Sequence, residues 1–377
     1  MELRPYQTRI VTAAIELFLG EHRDRKGNLE PVASSVMIES PTGSGKTVMA
    51  LSVARFCERN LGMTVGWCAM RRNLLAQAEH ENRRWGFDVD MRLISMFDKH
   101  PPPCDLLVID EAQHDGALSM ANVYGQIKPQ KLLGLSATPF RSDRFKLCFE
   151  KWIRDAGIHQ LIQDGYLSRY HHYTIPLYSP QSVAETYLRE PQRWGRALIF
   201  FHRLEQCRAC ERILRAAGVR AETVTASTDR QRQIAQFETG EIDVLLNMII
   251  LAEGFDCPSL RTVFCRPSGR LCTVQMAGRV FRKHAGSPFK QLVQCQQTRH
   301  PFPRTATPDE QYLWEQNEWR SLKTNRHIDA MCAAMQKIVA TSKATLPNHL
   351  KGASNDHVRL RSRESAQYFR RPHDREG

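Results

Sequence analysis

The chain is organised around residues 39–47, which read Glu-Ser-Pro-Thr-Gly-Ser-Gly-Lys-Thr. An apolar run at residues 36–38 precedes this stretch and an apolar helical pattern begins at Val48, so the layout is strand, glycine-rich turn and helix. Backbone N–H groups in such a turn, together with the helix N-terminus, favour the negative charge of phosphates. The candidate phosphate-binding residues are Pro41, Thr42, Gly43, Ser44, Gly45, Lys46 and Thr47.

This pattern predicts that Lys46 contacts the β- and γ-phosphates of a nucleotide and that the Thr47 hydroxyl contacts Mg²⁺. Ser40 stands where the strict pattern of such loops has glycine, and a glycine-rich surface turn is the alternative interpretation. Downstream, the apolar run Leu106–Ile109 ends in the adjacent carboxylates Asp110 and Glu111. Asp110 can hold Mg²⁺, usually through water, and Glu111 can orient or deprotonate an attacking water.

The alternation of apolar strands with helical segments predicts parallel sheets whose chemistry lies at the carboxyl ends of the strands. A length of 377 residues suggests about two or three domains. We expect domains at residues 1–169 and 170–300, followed by an extension at 301–377. Residues 149–165 have a helical pattern, and the second α/β unit begins near Tyr170, with its first clearly apolar strand at residues 197–201.

The extension is expected to be helical and then basic. Trp314 and Trp319 lie in a polar stretch that we interpret as partly helical, and an apolar stripe from Ile328 to Val339 predicts core packing. Beyond about Thr341 the chain is polar and rich in arginine, so we expect a disordered tail that adds non-specific affinity for a polyanion.

The composition bounds the function. A hydrophobic content of 42% and a charged content of 25% are ordinary for a globular protein. No apolar run approaches the roughly 18 residues of a membrane span, so we expect no membrane partner. The first apolar helix begins near Ile10, which leaves little room for a signal peptide. We therefore expect a cytoplasmic protein in a prokaryotic cell, or in the host cell if it is viral.

The formal charge of +13 favours a polyanionic partner, of which nucleic acid is the commonest. The eleven cysteines are scattered and odd in number, so we expect free thiols. Cys207 and Cys210 form one C-x-x-C pair, but helical spacing around them favours a buried helix face over a metal site. In the second half, residues 273–283 have a helical pattern that places Gln275, Gly278, Arg279 and Arg282 on one face.

Taken together, residues 1–300 resemble the core of superfamily 2 helicases, because segments similar to the family's motifs occur in the family's order. These are residues 3–7 (Q motif), 40–47 (I), 69–74 with Gln77 (Ia), 110–113 (II), 136–138 (III), 198–202 (IV), 247–256 (V) and 275–282 (VI). The sequences Ser-Ala-Thr-Pro at residues 136–139 and Glu-Gly-Phe-Asp at residues 253–256 look most like those of the RadD-like and type III restriction helicase branch, which acts on DNA. Gln113 occupies the position of aspartate in DEAD-box and histidine in DEAH proteins, and Met70 replaces the usual proline of motif Ia.

The resemblance implies an α/β fold of two tandem RecA-like lobes, each a parallel sheet flanked by helices, with ATP and Mg²⁺ bound between them. It implies catalytic roles for Lys46, Glu111, Gln275, Arg279 and Arg282. Further nucleotide contacts are expected from Arg4, Gln7, Gly254 and Asp256, with Gln7 reading the adenine edge. The implied nucleic-acid contacts are Arg72, Gln77, Ser95, Ser136, Thr138, His202 and Thr225.

The expected function is that of an ATP-dependent DNA helicase or translocase, acting as a monomer on DNA in preference to RNA. A rival interpretation is the motor subunit of a restriction or repair complex that pumps duplex DNA without separating its strands. No nuclease-like extension follows residue 282, so DNA cleavage would require a nuclease or repair partner. The sequence is also compatible with an RNA-remodelling ATPase like the DEAD-box proteins and with an ATP-dependent switch that has no motor role.

Overall fold

The computed structural model describes residues 2–24, 26–112, 118–137, 149–248, 255 and 257–323, with positions 331, 334, 335, 337 and 338 further on. The chain divides into a compact unit, Met1–Lys323, and a second unit, Thr324–Gly377. The first unit contains the two sheets described below. Within the described residues, no helix is long and apolar enough to cross a membrane.

The first sheet consists of β1 (Ser35–Glu39), β2 (Val65–Ala69), β3 (Met91–Ser95), β4 (Leu106–Ile109), β5 (Lys131–Ser136) and β6 (Lys151–Arg154). It is parallel throughout and has the strand order β3-β2-β4-β5-β1-β6 in the described part of the chain. Every residue of β2 and β4 is buried, as expected for a parallel sheet covered on both faces. The accompanying helices are α1 (Pro5–Leu19), α2 (Lys46–Leu61), α3 (Arg72–Arg84), α4 (Leu118–Ile127) and α5 (Ile158–Gln163).

The second sheet consists of β7 (Arg169–Ile175), β8 (Ala197–Phe200), β9 (Ala221–Thr223), β10 (Val244–Asn247), β11 (Thr262–Phe264), β12 (Phe289–Cys295), β13 (Glu310–Glu315) and β14 (Glu318–Ser321). Its strand order is β14-β13-β7-β12-β11-β8-β10-β9, and neighbouring strands are parallel except for the β13–β14 pair. The helices are α6 (Pro180–Arg189), α7 (Pro191–Trp194), α8 (Leu204–Ala216), α9 (Arg230–Thr239) and α10 (Arg270–Gly278), with a 3-10 helix at Phe302–Arg304. The predicted fold class, two successive α/β units with parallel sheets flanked by helices, is confirmed.

The two sheets share part of their apolar core. One cluster of buried side chains joins residues packed on the first sheet, such as Leu161, to Tyr170 and Phe281 of the second. The Tyr170 ring contacts Phe281 and Phe302 with centroid distances of 5.2 and 5.6 Å. Cys207 and Cys210 are fully buried on α8, as expected for a buried helix face.

Residues 149–165 differ from the predicted helix. They contain β6, which pairs in parallel with β1, and only then the short helix α5. The strand pairing satisfies backbone groups on the outer side of β1 that a helix would have left to other partners. Burial is moderate along β6, so the periodicity of its sequence was too weak to separate strand from helix.

The region around Trp314 and Trp319 is a β-hairpin and not a partly helical segment. Gln316 and Asn317 form its turn with φ values of 50° and 63°, the left-handed backbone that two-residue hairpin turns require. Trp314 and Trp319 are opposite each other across the strands, with ring centroids 4.9 Å apart. Because β13 pairs with β7, the second sheet continues past the predicted boundary at residue 300.

The apolar stripe predicted at residues 328–339 is helical at the described positions. Met331, Met335 and Ile338 are nevertheless exposed, with 54%, 62% and 64% of their surface accessible. The expected core packing is therefore not seen for these three side chains. The predicted basic tail beyond Thr341 lies outside the described residues.

Candidate active site

The loop between β1 and α2 has the backbone that phosphate binding needs. Gly43 and Gly45 have φ values of 81° and 82°, in the left-handed region that favours glycine. The loop is closed internally, because Ser44 N donates to Pro41 O at 3.2 Å and Ser40 Oγ donates to Ser44 Oγ at 2.7 Å. Ser40, the departure from the strict pattern, thus braces the loop from inside while α2 begins at Lys46.

The start of α1 supports the same loop. The Ser44 carbonyl accepts hydrogen bonds from Tyr6 Oη at 2.6 Å and from Gln7 Nε2 at 2.9 Å. Gln7 Oε1 accepts from Arg4 N at 3.0 Å, so both ends of the Gln7 amide have a protein partner. A Cβ at Gly45 would lie 2.5 Å from Gln7 Nε2, which explains glycine there. The role of Gln7 toward adenine stays a prediction, and its role in holding the phosphate loop is an observation.

The carboxylate pair follows β4 in an unusual backbone. Glu111 has φ 54°, a left-handed conformation that is rare for residues other than glycine. Glu111 N donates to Asp110 Oδ1 at 3.0 Å, which fixes the turn after the strand. Residues held in sparsely populated backbone conformations cluster at functional sites, so this observation supports a functional role for the pair.

Residues 278–282, which carry Arg279 and Arg282 and which we call the arginine segment, depart from the predicted helical face. Helix α10 ends at Gly278, Arg279 caps it, and Arg282 lies beyond its end. Residue 278 is a glycine because Thr42 leaves little room for a side chain there. A Cβ on Gly278 would lie 3.0 Å from Thr42 Cβ and 3.1 Å from its Oγ1. The chain then turns inward, since Val280 and Phe281 are buried and Phe281 stacks on Phe302 at 5.3 Å.

Arg282 reaches the phosphate loop despite the earlier end of the helix, and Arg279 lines the same cavity as the loop. Arg279 is 6% exposed, and its Nη1 donates to the Phe255 carbonyl at 3.3 Å. A Cβ on Gly43 would lie 3.4 Å from Arg282 Cγ, so the stem of Arg282 passes directly over the loop. Gln275 lies on α10 and is not among the described residues that line the cavity.

A cavity of about 600 Å³ joins these groups. Its wall includes the phosphate loop with Lys46 and Thr47, the Asp110–Glu111 pair, and both arginines of the second sheet. The α1 end contributes Glu2, Arg4 and Gln7, and one face of α3 contributes Leu74, Gln77, Glu81, Arg84 and Trp85. This volume falls within the range of small-molecule sites.

Burial and charge perturb the ionisable groups of the cavity. Burial lowers the pKa of Lys46, and the carboxylates of Glu111 and Asp110 oppose this shift. Burial also raises the pKa of Asp110 to about 7, with the nearby Glu111 charge acting in the same direction. The pKa of Arg282 is lowered to about 10 by burial, against the attraction of Glu81, so Arg282 remains cationic at neutral pH. Perturbed groups gathered in one cavity are typical of catalytic sites.

The charged and oxygen-bearing side chains of the cavity fit a nucleoside triphosphate with Mg²⁺. Five cationic side chains line the cavity beside the glycines of the phosphate loop, and these are Arg4, Lys46, Arg84, Arg279 and Arg282. The Thr47 hydroxyl and the Asp110 carboxylate are oxygen donors, which Mg²⁺ prefers.

The predicted nucleic-acid residues separate into groups. Ser95 is the last residue of β3 and pairs with the last residue of β2, and Arg72 begins α3 just after β2, so both lie at the carboxyl edge of the first sheet. His202 follows β8 and Thr225 follows β9, at the carboxyl edge of the second sheet. The His202 imidazole contacts Arg266, and burial together with this neighbouring cation lowers the pKa of His202.

Two of the nucleic-acid predictions are not supported by the structure. Ser136 is fully buried at the end of β5, where its carbonyl accepts from Ser40 N at 3.0 Å, so its side chain is not available to a strand on the surface. Gln77 lines the cavity beside the phosphate loop, because the face of α3 that carries it turns toward Lys46 and Thr47. Thr138, Gly254, Asp256 and Gln113 lie outside the described residues.

Sequence reasoning also missed functional candidates. Glu81 and Arg84 line the cavity, and their spacing from Gln77 on α3 could have indicated it. Phe255 was passed over because its contribution is a backbone carbonyl, which carries no sequence signal.

Comparison with known proteins agrees with this geometry. A family model described as "Type III restriction enzyme, res subunit" matches residues 1–100, and one described as "Helicase conserved C-terminal domain" matches residues 180–284. A 51.5 kDa protein of Lactococcus phage (isolate 7-9) is 26% identical over 271 residues, which cover 62% of this chain and 60% of that protein. The chain therefore spans less than two thirds of this relative.

Two solved structures share the fold. The ATP-dependent Type ISP restriction-modification enzyme LlaBIII bound to DNA has a TM-score of 0.55 and 14% identity, over 78% of this chain and 27% of that one. A leucine-to-valine variant of Dbp5 from S. cerevisiae, bound to RNA and ADP BeF3, has a TM-score of 0.58 and 15% identity, over 89% of this chain and 98% of that one. At these identities the likeness concerns the fold.

Proposed function

The chain belongs to the superfamily 2 helicases, in their type III restriction branch, and on that premise we propose that it hydrolyses ATP to move along or unwind nucleic acid. One observation carries the proposal: a single cavity is lined by Lys46 and Asp110 from the first sheet and by Arg279 and Arg282 from the second. A site divided in this way can close on a nucleotide and open after hydrolysis.

The side chains that line the cavity divide the steps of hydrolysis among them. Lys46 binds the β- and γ-phosphates, and Glu111 orients the attacking water and accepts its proton. Arg279 and Arg282 stabilise the charge that develops on the transferred phosphoryl group. Thr47 and Asp110 would hold Mg²⁺, which supplies charge neutralisation at the phosphate oxygens when bound.

The nucleic acid lies along the carboxyl edges of the sheets. Arg72 and Ser95 on the first sheet and His202 and Thr225 on the second are placed to contact its backbone. With a formal charge of +13, binding is largely independent of base sequence and weakens with salt. We propose DNA over RNA, because the family model that matches residues 1–100 is described as a subunit of a type III restriction enzyme, and restriction enzymes act on DNA.

A second candidate is a duplex-DNA motor that does not separate strands. The similarity to restriction-enzyme components favours it, because a motor of this kind moves DNA for a nuclease. In that case a nuclease or repair protein would be its partner. In either case we propose a monomer that works in the cytoplasm of a prokaryotic cell, or in the host cell if the protein is viral.

The test compares ATP turnover of the full chain with single-stranded DNA, duplex DNA and RNA, with Lys46→Ala as the control that removes the active site. Strand displacement on tailed DNA and RNA duplexes is measured beside triplex displacement on duplex DNA. Stimulation by single-stranded DNA with strand displacement supports a helicase, and triplex displacement alone supports the duplex motor. Turnover in wild type that no nucleic acid stimulates, or that survives Lys46→Ala, would overturn the proposal.

A further inference from the structure

The segment that joins the two sheets contacts three residues that line the nucleotide cavity, Arg4, Gly43 and Arg282. We call residues Tyr166–Ser168 the connector; they lie between α5 on the first sheet and the start of β7 in the second. Tyr166 N and Leu167 N both donate to Leu161 O, at 2.8 and 2.9 Å, which ties the connector to the end of α5. No sequence motif pointed to this segment.

Tyr166 reaches the α1 end of the cavity. Its ring lies 5.1 Å from the ring of Tyr6, and the Arg4 guanidinium carbon lies 5.3 Å from its centroid. Arg4 lines the cavity, whereas Tyr166 is not among the described lining residues, so the ring backs the guanidinium. A cation over an aromatic face is favoured by the ring quadrupole, and this contact fixes where Arg4 presents its charge.

Leu167 reaches the phosphate loop. It is 2% exposed, and a Cβ on Gly43 would lie 3.3 Å from its Cδ2 and 3.4 Å from Arg282 Cγ. Leu167 and the stem of Arg282 therefore pack side by side against the same glycine. A shift of the connector would change the contact of both with the loop, because close-packed interiors transmit small displacements.

Ser168 holds the arginine segment. Its N–H donates to the Phe281 carbonyl at 2.8 Å, and its Oγ donates to the Arg282 carbonyl at 3.2 Å. Ser168 is 4% exposed, so water competes poorly for these groups. The backbone that carries Arg282 is thus bound directly to the residue that precedes the second sheet.

We propose that the connector couples the base end of the nucleotide cavity to the arginine end. Tyr166 is a positioning residue for Arg4, and Ser168 is a positioning residue for Arg282. This inference rests on the proposed ATPase function and adds residues that contact neither phosphate nor Mg²⁺. Binding of the base against Arg4 then displaces Tyr166 and Leu167, and this displacement moves the backbone that sets the position of Arg282.

The test uses Tyr166→Leu, Tyr166→Phe and Ser168→Ala in the full chain. Tyr166→Leu removes the ring face, so we expect the Kd for ATP to rise about three- to tenfold while the Kd for inorganic tripolyphosphate is unchanged. Tyr166→Phe keeps the face and should restore wild-type binding. Ser168→Ala removes one buried hydrogen bond to the Arg282 backbone, and we expect kcat to fall about three- to tenfold with KM within twofold of wild type.

Ser182→Ala is the matched control, because Ser182 Oγ also donates to a backbone carbonyl, that of Leu177 at 2.8 Å, on α6. Its kcat should equal that of wild type at a similar Tm. The double variant Tyr166→Leu/Ser168→Ala tests the coupling, and its loss in kcat/KM should be smaller than the product of the single losses.

Three results would overturn the inference: an unchanged Kd in Tyr166→Leu, equal losses in Ser168→Ala and Ser182→Ala, or independent effects in the double variant. Wild type that binds ATP without turnover would instead overturn the proposed function. The Tyr166 variants would still be decided in that case, because their readout is binding and not turnover.

Discussion

The phosphate loop of the first sheet and the arginine segment of the second face one cavity but are built in opposite ways. The loop is closed on itself by contacts close in sequence, Ser44 N to Pro41 O and Ser40 Oγ to Ser44 Oγ, and α1 braces it through Tyr6 and Gln7. Its shape depends on two glycines in left-handed backbone. A short stretch of sequence therefore specifies most of the loop.

The arginine segment is held by distant parts of the chain. Ser168 binds the backbones of Phe281 and Arg282, and Phe255 accepts from Arg279. Phe281 packs on Phe302 and Tyr170. The comparison teaches that one half of the site is a local conformation, whereas the other half exists only when both sheets are folded and in contact.

The largest effect is expected from changing Lys46. Lys46→Ala should abolish turnover and weaken nucleotide binding, because the cation facing the phosphates is lost. Glu111→Gln should keep binding and slow hydrolysis about 10²- to 10⁴-fold, because only the water-orienting carboxylate is disabled. The measurement is nucleotide Kd beside single-turnover hydrolysis. An equal loss of affinity in both variants would contradict the division of roles.

The next effect concerns the other half of the site. An arginine supplied to a developing phosphoryl charge contributes roughly 10³–10⁵ in rate in nucleotide hydrolases. Arg279→Lys and Arg282→Lys should each lose less than this, because two arginines share the task, and lysine cannot reproduce the planar guanidinium. Single-turnover hydrolysis with saturating DNA measures the loss.

Arg220→Lys is the control for this pair, since Arg220 forms a surface ion pair with Asp243 at 2.6 Å. It should hydrolyse ATP at the wild-type rate. If Arg279→Lys and Arg282→Lys do so as well, these side chains lie outside the reaction and the two-sheet mechanism is wrong.

A smaller effect is expected where the two halves touch. In Gly278→Ala the new Cβ would lie 3.0 Å from Thr42 Cβ, so the arginine segment or the loop must move by a few tenths of an ångström. We expect kcat to fall a few-fold. Gly125→Ala on α4 is the control, because nothing lies within 4 Å of its Cβ, and it should gain up to about 1 kcal/mol in stability. Wild-type kcat in Gly278→Ala would show that this contact does not constrain the site.

The smallest effect is expected at the base end. Gln7→Ala should reduce the preference for ATP over GTP more than it reduces maximal turnover. It should also raise KM somewhat, because Gln7 braces the Ser44 carbonyl at 2.9 Å. Competition between the two nucleotides measures the preference. Equal hydrolysis of all four nucleoside triphosphates by wild type would refute adenine reading by Gln7.

Much of the first sheet's site was predictable from short patterns. The glycines before Lys46 and the carboxylates after an apolar strand each carry their chemistry within a few residues. The extent of α10 was not predictable in this way. Its helical periodicity continues to Arg282, but burial of Val280 and Phe281 ends the helix at Gly278, since tertiary packing overrides a weak local preference.

Long-range pairing decided further features of the fold and the site. Residues 151–154 form a strand because they pair with the edge of β1, and Gln77 lines the cavity because α3 lies against α2. Ser136 became inaccessible because the strand end that carries it is covered. In each case the neighbour is distant in sequence, so periodicity within a short window contains no information about it.

By itself, the sequence determined the alternation of strands and helices, the phosphate loop and the order of the charged residues that serve it. These features rest on backbone conformation, side-chain period and charge, which act over a few residues. Only the tertiary structure decided that Arg279 and Arg282 line the same cavity as that loop, and that Tyr166, Leu167 and Ser168 contact Arg4, Gly43 and Arg282 around it. Those positions follow from burial shared between two sheets, a property of the folded chain and not of any segment.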